Sequence, residues 1–378
     1  MSMEKRRERG FFGRILVFIL TILAIIGLVA MALSVMCPHI DPKHFGWIPF
    51  FGLSFWVILF FNALIFFVLL LLWSRKVWIS VLALMIAIPG IIKSYSFGKE
   101  MGVGEGIRLM SYNVYMFQSL DGKNDKEAVA SRMIRVIEEQ SPDILCCQEF
   151  SSFNRAIDRP KCIQMFADSI NMPYVYYNKN SNYSGNVIFS KYPVTKVTEG
   201  TGFSQEKTYG VLVSVDAGKK GQFYLAGIHL VSNMITKDEI EILTNASDYQ
   251  QNLDTVGKSV FHKLKDGFVL RSDEVKEMLE GIPDKDVPVI LCGDFNDTPL
   301  SYTYRRVQKA GYKDTFISVG HGIKPTYAGK LPLLRIDYIW ANDKVTPLRF
   351  NRCRQKDSDH HPILLDFSIN QNSNTEQL

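Results

Sequence analysis

The sequence predicts two unlike parts: about three membrane-spanning helices at the N-terminus, then one large α/β domain. Three observations predict this. The runs Ile15 to Met36 and Gly46 to Trp73 contain no charged side chain, and each exceeds the roughly 20 apolar residues that cross a bilayer core. From Ile107 onward, strand-like and helix-like patterns alternate. Polar side chains then recur where the apolar strands end.

A third apolar run, Val77 to Ile92, is shorter and contains Pro89 and Gly90. Trp47, Trp56, Trp73 and Trp78 lie in or beside these runs, and several sit near run ends, where aromatic rings favour the membrane interface. Lys5, Arg6, Arg7 and Arg9 would suit the start of a cleaved signal peptide, but the apolar run after them is too long for one, and more membrane-like sequence follows. Basic residues tend to stay on the cytoplasmic side. The N-terminal cluster with Arg14, and Arg75 with Lys76, therefore predict an inside N-terminus, three crossings through residues 15–92, and the α/β domain outside the cytoplasm. Residues 1–93 form the membrane region, 94–106 a glycine-bearing flexible linker, 107–370 the α/β domain, and 371–378 a polar tail.

Charge points the same way. The chain is formally +5, but residues 1–93 hold 9 Lys+Arg against 3 Asp+Glu. That leaves 34 basic and 35 acidic residues for the rest. The basic excess belongs to membrane topology, and the α/β domain carries no overall electrostatic footprint for nucleic acid. The six cysteines include adjacent Cys146 and Cys147 and have no zinc spacing; they read as structural thiols.

Within the domain, "IRLMSYNV" (107–114) is a buried strand and "KEAVASRMIRVIEEQ" (126–140) a helix. "DILCCQEF" (143–150) is a second strand, and "KCIQMFADSI" (161–170) a helix. "YVYYN", "GNVIFSKYPV", "GVLVSVDA" and "FYLAGIHL" are short strands separated by turns. Residues 237–280 are largely helical and polar, with apolar points that include Ile240 and Leu243. "VPVILCGDF" is a strand; Asp297 or Thr298 caps a helix with Pro299 near its first position, ending at Gly311. "LRIDYIWA" and "HPILLDFSI" are the closing strands. No internal repeat is visible.

The strand ends carry the chemistry. Asn113, Gln148 with Glu149, His229, Asp294 with Asn296, Asp337, and Asp359 with His360 all fall there. One such residue is ordinarily a turn or a cap; six such sites in one α/β domain suggest an active site. Phosphate-ester cleavage needs a positioned water, neutralised phosphate oxygens and help for the leaving oxygen. Hard oxygen ligands such as Glu149 suit Mg²⁺. Asn113 and Asn296 offer amides without adding charge. Asp294 can orient or deprotonate water, and His360 backed by Asp337 can contact phosphate or move a proton.

The blocks "MSYNV" (110–114), "PDILCCQEF" (142–150), "GIHL" (227–230), "GDFND" (293–297), "RIDYIW" (335–340) and "SDHHP" (358–362) resemble the signature of the endonuclease/exonuclease/phosphatase family, in its order. The resemblance implies a four-layer α/β sandwich of two packed mixed sheets flanked by helices, and a Mg²⁺- or Mn²⁺-dependent phosphoesterase. It implies Asn113, Glu149 and Asp359 at the metal. It also implies a second acid or phosphate contact at His229, water activation by Asp294, phosphate binding by Asn296, and a catalytic His360 oriented by Asp337. His361 falls on the variable position and reads as a bystander. Asn186, with Ser184, lies in the block that flanks the site and reads as substrate-binding. Arg271 reads as an exposed arginine on a charged helix, and His321 and Tyr327 as loop residues near substrate.

The function expected is a membrane-anchored phosphodiesterase or phosphatase acting on a phosphoester such as a lipid head group, with the bilayer itself as a partner. The alternatives are a nuclease on DNA or RNA using the same site, and a non-catalytic scaffold. No protein partner is inferable.

Overall fold

The computed structural model describes residues 10–102, 106–120, 125–178, 184–197, 209–233, 235–236, 238–239, 242, 253–282, 286–329 and 333–370. The expected polar tail 371–378 and the helical expectation at Ile240 and Leu243 lie outside these residues. The chain divides into two compact units, one of residues 1–93 with 300–302 and one of residues 94–299 with 303–378.

The first unit is helical: α1 (Phe11–Met36), α2 (Pro49–Leu53), α3 (Phe55–Leu71) and α4 (Val77–Ser94). Among the described residues two helices, not three, are long and apolar enough to cross a membrane: Phe11–His39 and Val77–Ser94. The run expected to be secure is the one that falls short. A proline-started turn ends at Leu53, Ser54 leaves helical geometry, and the remaining helix has 17 residues. The doubtful run is continuous, because α4 passes through Pro89. α1 and α3 meet at Gly27, whose carbonyl accepts a hydrogen bond from Asn62 Nδ2 (3.1 Å). A Cβ on Gly27 would lie 2.6 Å from Asn62 Oδ1, so a small residue lets the helices approach.

The second unit holds two sheets of six strands each. One runs β11 (Val345–Arg352), β12 (Ile363–Ile369), β1 (Ile107–Asn113), β2 (Ile144–Ser151), β4 (Ser184–Ser190), β3 (Tyr174–Tyr177). The other runs β5 (Val194–Lys196), β6 (Gly210–Asp216), β7 (Gln222–His229), β8 (Val289–Asp294), β10 (Asp337–Ala341), β9 (Lys313–Asp314). In each, the inner pair is parallel, β1 with β2 and β7 with β8, and the other pairings are antiparallel.

Alternation along each strand builds the layers. Leu109, Ile144, Ile188, Val213, Leu225, Ile290, Ile339 and Leu365 meet between the sheets. Met110, Leu145 and Phe189 face outward onto α5 (Lys126–Gln140) and α6 (Arg159–Ser169). Leu212, Leu291 and Trp340 face outward onto α7 (Leu253–Glu280) and α8 (Tyr302–Lys309). This is the four-layer sandwich expected. α8 begins at Tyr302, later than the expected start near Pro299; α9 (Thr315–Val319) and the edge strands β9 and β11 were not expected.

The linker expected to be flexible is held where it starts. Ser96 is fully buried. Its backbone pairs with Gly322, and its Oγ donates to Gly320 O (2.7 Å). Met101 N donates to Leu348 O (2.8 Å).

Candidate active site

Every strand that carries a predicted site residue ends at one end of the sandwich. β1 and β2 run parallel, so Asn113 and Glu149 finish together. β7 and β8 run parallel, so His229 and Asp294 are register partners. Asp337 opens β10 directly across from Asp294, and His360 precedes β12, which runs antiparallel to β1.

Backbone geometry at three positions is unusual. Glu149 has φ of 54° and sits at a β-bulge between Cys147 and Phe150. Asn296 has φ of 52°. Such left-handed conformations in non-glycine residues cost free energy and cluster where a side chain must be aimed. Gly293 has φ of 141°, and a Cβ there would lie 1.9 Å from Ile228 O. Only glycine lets β8 approach β7 closely beside Asp294.

The buried side chains form one network. Asn113 Nδ2 donates to Glu149 Oε1 (3.2 Å) and Asp294 Oδ2 (3.1 Å). Asn296 N donates to Asp294 Oδ1 (2.8 Å), and Asn296 Nδ2 to Leu230 O (2.9 Å). His229 Nε2 lies 3.5 Å from Glu149 Oε1 and 4.0 Å from Asp294 Oδ2. His360 Nδ1 is 2.8 Å from Asp337 Oδ2, and its Nε2 is 3.5 Å from Asp294 Oδ2. Burial alone would drive this imidazole toward neutrality, but Asp337 and Asp294 outweigh it and hold its pKa well above the ordinary value. Burial raises the pKa of Asp294, against the pull of His360.

Asp359 differs. Its Oδ1 is buried without a hydrogen-bond partner. Burial raises its pKa, and the neighbouring Glu149 charge raises it further. An orphaned carboxylate oxygen beside a second acid is costly unless a cation sits there. Asn113, Glu149 and Asp359 therefore fit a hard divalent ion. Asp294, Asp337 and His360 also bring one ligand atom each within 4.8 Å of one another. There, however, both ring nitrogens face carboxylates, which suits an imidazolium donor rather than a ligand with a free lone pair.

Asn186 lies on β4 next to the partners of the Phe150 end of the bulge; it is buried and its Oδ1 lacks a hydrogen-bond partner. Tyr327 packs edge-on to His360, ring centres 5.6 Å apart. His321 instead sits beside Tyr95. His361 points elsewhere, its Nδ1 accepting from Gln355 N (3.1 Å).

Arg271 corrects the sequence expectation. It is not exposed but fully buried. Its Nη1 donates to Val231 O and Asn233 Oδ1, both at 2.9 Å, and its Nε is 3.6 Å from Asp297 Oδ2. With Glu274, which accepts from Val231 N (2.7 Å), it clamps the segment after His229. Three further supporting residues went unnoticed in the sequence. Thr326 Oγ1 accepts from Asp337 N (3.0 Å). Ser358 Oγ donates to Asn113 O (2.7 Å) and accepts from His360 N (3.1 Å). Arg159 Nε donates to Phe150 O (2.9 Å), next to Glu149. The only advance signal was a hydroxyl or charge inside or beside a block that already carried site residues.

Comparison with known proteins covers both parts of the chain. The profile of the Endonuclease/Exonuclease/phosphatase family matches residues 110–230 and 279–360. A domain of unknown function (DUF8431) matches residues 14–94. No curated protein matches. Among solved structures, an endonuclease/exonuclease/phosphatase from Beutenbergia cavernae DSM 12333 is 17% identical, with TM-score 0.48 over 70% of this chain and 71% of that one. A humanized D. rerio TDP2 is 17% identical, with TM-score 0.47 over 70% and 100%. An AP endonuclease from Archaeoglobus fulgidus is 14% identical, with TM-score 0.44 over 70% and 100%.

Proposed function

Because the chain belongs to the endonuclease/exonuclease/phosphatase family of phosphate-ester hydrolases, we propose that it is a membrane-anchored, Mg²⁺- or Mn²⁺-dependent phosphoesterase. The observation that carries this reading is the bracketing of His360 between Asp337 and Asp294, beside the unpartnered Asp359 oxygen.

Asn113, Glu149 and Asp359 would hold the metal, which supplies neutralisation of charge on the phosphate oxygens. Asp294, with one oxygen fixed by Asn296 N and the other facing Asn113 and His360, orients and deprotonates the attacking water. Asp337 fixes the His360 ring through Nδ1, leaving Nε2 to donate to a phosphate oxygen. His229, with Nε2 3.5 Å from Glu149 Oε1, gives a second donor. Asn296 and Asn186 contact the phosphate or its substituent without adding negative charge.

The two apolar helices support a membrane anchor. We extend this to a multi-pass region over 1–93, with the 17-residue α3 as a short third crossing and the catalytic domain outside the cytoplasm. A lipid head group is then the favoured substrate, because only residues 94–106 separate the membrane region from the domain of residues 107–370.

The test uses the full chain in detergent. Metal-dependent hydrolysis is assayed on bis-p-nitrophenyl phosphate, lipid phosphoesters, DNA and RNA, with His360→Ala in parallel. The expected result is metal-dependent turnover that is lost in the variant, strongest on a lipid. No turnover on any substrate overturns the enzyme reading, and preference for a polynucleotide replaces the lipid with the nuclease. Protease accessibility on intact cells tests the topology: digestion only after lysis places the domain inside.

A further inference from the structure

Outside the network around His360, the same end of the first sheet carries a group of cations with no use in the chemistry above. Arg352 ends β11, and in register it faces Ile363 of β12, which faces Ser111 of β1 on its other side. Two strand spacings make the backbone separation from Ser111 about 10 Å. Arg352 Nη1 donates to Pro325 O (2.5 Å), which ties it to the loop that carries Tyr327 against His360. Lys324 precedes that proline. Arg354, exposed and just beyond the end of β11, acts on Arg352 as a neighbouring cation, while Cys353 between them packs toward the outer helical layer.

None of these three cations forms an ion pair among the described residues. The largest opposing charge acting on Lys324 is Glu100. Lys324 and Arg352 are half-buried, and the pKa of each is lowered, first by burial and then by a cationic neighbour: Arg352 for Lys324, Arg354 for Arg352. Holding like charges together away from water is unfavourable unless an anion completes the site. Elsewhere in this sheet the opposite holds: Arg108 and Arg349 both pair with Asp366.

We propose that Lys324, Arg352 and Arg354 form a second anion subsite, which binds a phosphate of the substrate other than the one cleaved. This rests on the phosphoesterase reading and narrows its substrate to a compact molecule or head group bearing two phosphates. Three cations suit one phosphate; they do not make the long basic track that a polynucleotide strand requires.

The experiment separates the subsite from the catalytic centre by removing the metal. The full chain in detergent, with EDTA, is titrated with inorganic pyrophosphate, and separately with phosphatidylcholine vesicles containing cardiolipin, a lipid with two phosphates. Arg352→Met and Lys324→Met are each expected to weaken binding about tenfold, as loss of a charge-assisted hydrogen bond does. Arg352→Lys should retain most of it, and the surface control Lys258→Met all of it. The tighter of the two probes assigns the source, soluble or lipid. Unchanged binding in Arg352→Met overturns the subsite, as does equal loss in Lys258→Met. Competition by a single-stranded oligonucleotide well beyond that of pyrophosphate overturns the compact-substrate assignment. Parallel turnover of bis-p-nitrophenyl phosphate with metal restored tests the enzyme reading alone: binding without turnover sinks that reading, and turnover without binding sinks the subsite.

Discussion

The two sheets of the catalytic domain are topological twins with different chemistry. Read from β11 to β3 and from β9 to β5, their pairings follow the same sequence of two antiparallel, one parallel and two antiparallel. Asn113 then corresponds to Asp294, Glu149 to His229, and the approach to β12 that carries His360 to the start of β10 that carries Asp337. The first sheet presents Asp359 with an open oxygen beside Glu149; the second presents carboxylates already occupied by hydrogen bonds. The twin architecture brings two sets of strand ends to one place, and the division of labour lies in the side chains. A half with unsatisfied acids is built for a cation, and a half with satisfied ones for moving protons.

The largest effect should come from breaking the proton-handling set, Asp294 of the second sheet and the His360 that reaches it from the first. Asp294→Asn or His360→Ala is expected to lower kcat by about 10³-fold, within the range typical of a lost general acid or base. Metal affinity, read by Mg²⁺ titration of the residual activity, should change little. A loss that excess Mg²⁺ repairs would move Asp294 into the metal half.

Glu149→Gln tests the other half. The expected outcome is a rise of about 10- to 100-fold in the Mg²⁺ concentration for half-maximal activity, with kcat partly recovered at saturating metal. An unchanged metal requirement would put the ion at Asp294, Asp337 and His360 instead.

The comparison extends to the outer helices. Arg159 of α6 donates to Phe150 O beside Glu149, and Arg271 of α7 donates to Val231 O just after His229. Arg271 also faces Asp297, so Arg271→Met should cost about 3 kcal/mol of stability by stranding a buried carboxylate, and lower kcat. Arg159→Met loses hydrogen bonds to the Phe150 and Asn178 carbonyls and the cation's place over the Tyr177 ring, costs about 1–2 kcal/mol, and shows in metal affinity. Chemical denaturation with the two activity readouts separates them; identical profiles would dissolve the division.

These arginines also mark what the sequence could and could not say. The strand ends were legible because Asn113, Glu149 and Asp294 each close an apolar run and His360 stands just before one, which is a local signal. Arg271 lies in "VLRSDEVKEM" among charged neighbours, and nothing local distinguishes it from a solvated residue; its partners come from 231–233 and Asp297. β11 was missed because it carries Pro347 and Arg349 on an edge, where β-propensity is weak and pairing with β12 decides. The Gly46–Trp73 run was misjudged because composition cannot see the break at Ser54.

The smallest effect sharpens the comparison within a single dipeptide. His360 and His361 are adjacent, yet only one belongs to the network. His361 N donates to Thr326 O (2.7 Å), and its ring accepts from Gln355 N. It thus fixes the loop whose Thr326 hydroxyl accepts from Asp337 N. His361→Ala removes the ring contact but keeps the backbone one, so the cost is one side-chain hydrogen bond, about 1 kcal/mol. Its effect on kcat should stay within about fivefold, since it acts only through the loop behind Asp337. Steady-state kinetics on the two alanine variants, each checked by circular dichroism, read the difference. Equal losses with folding intact would mean that the second half of the site reaches one residue further than the ring of His360.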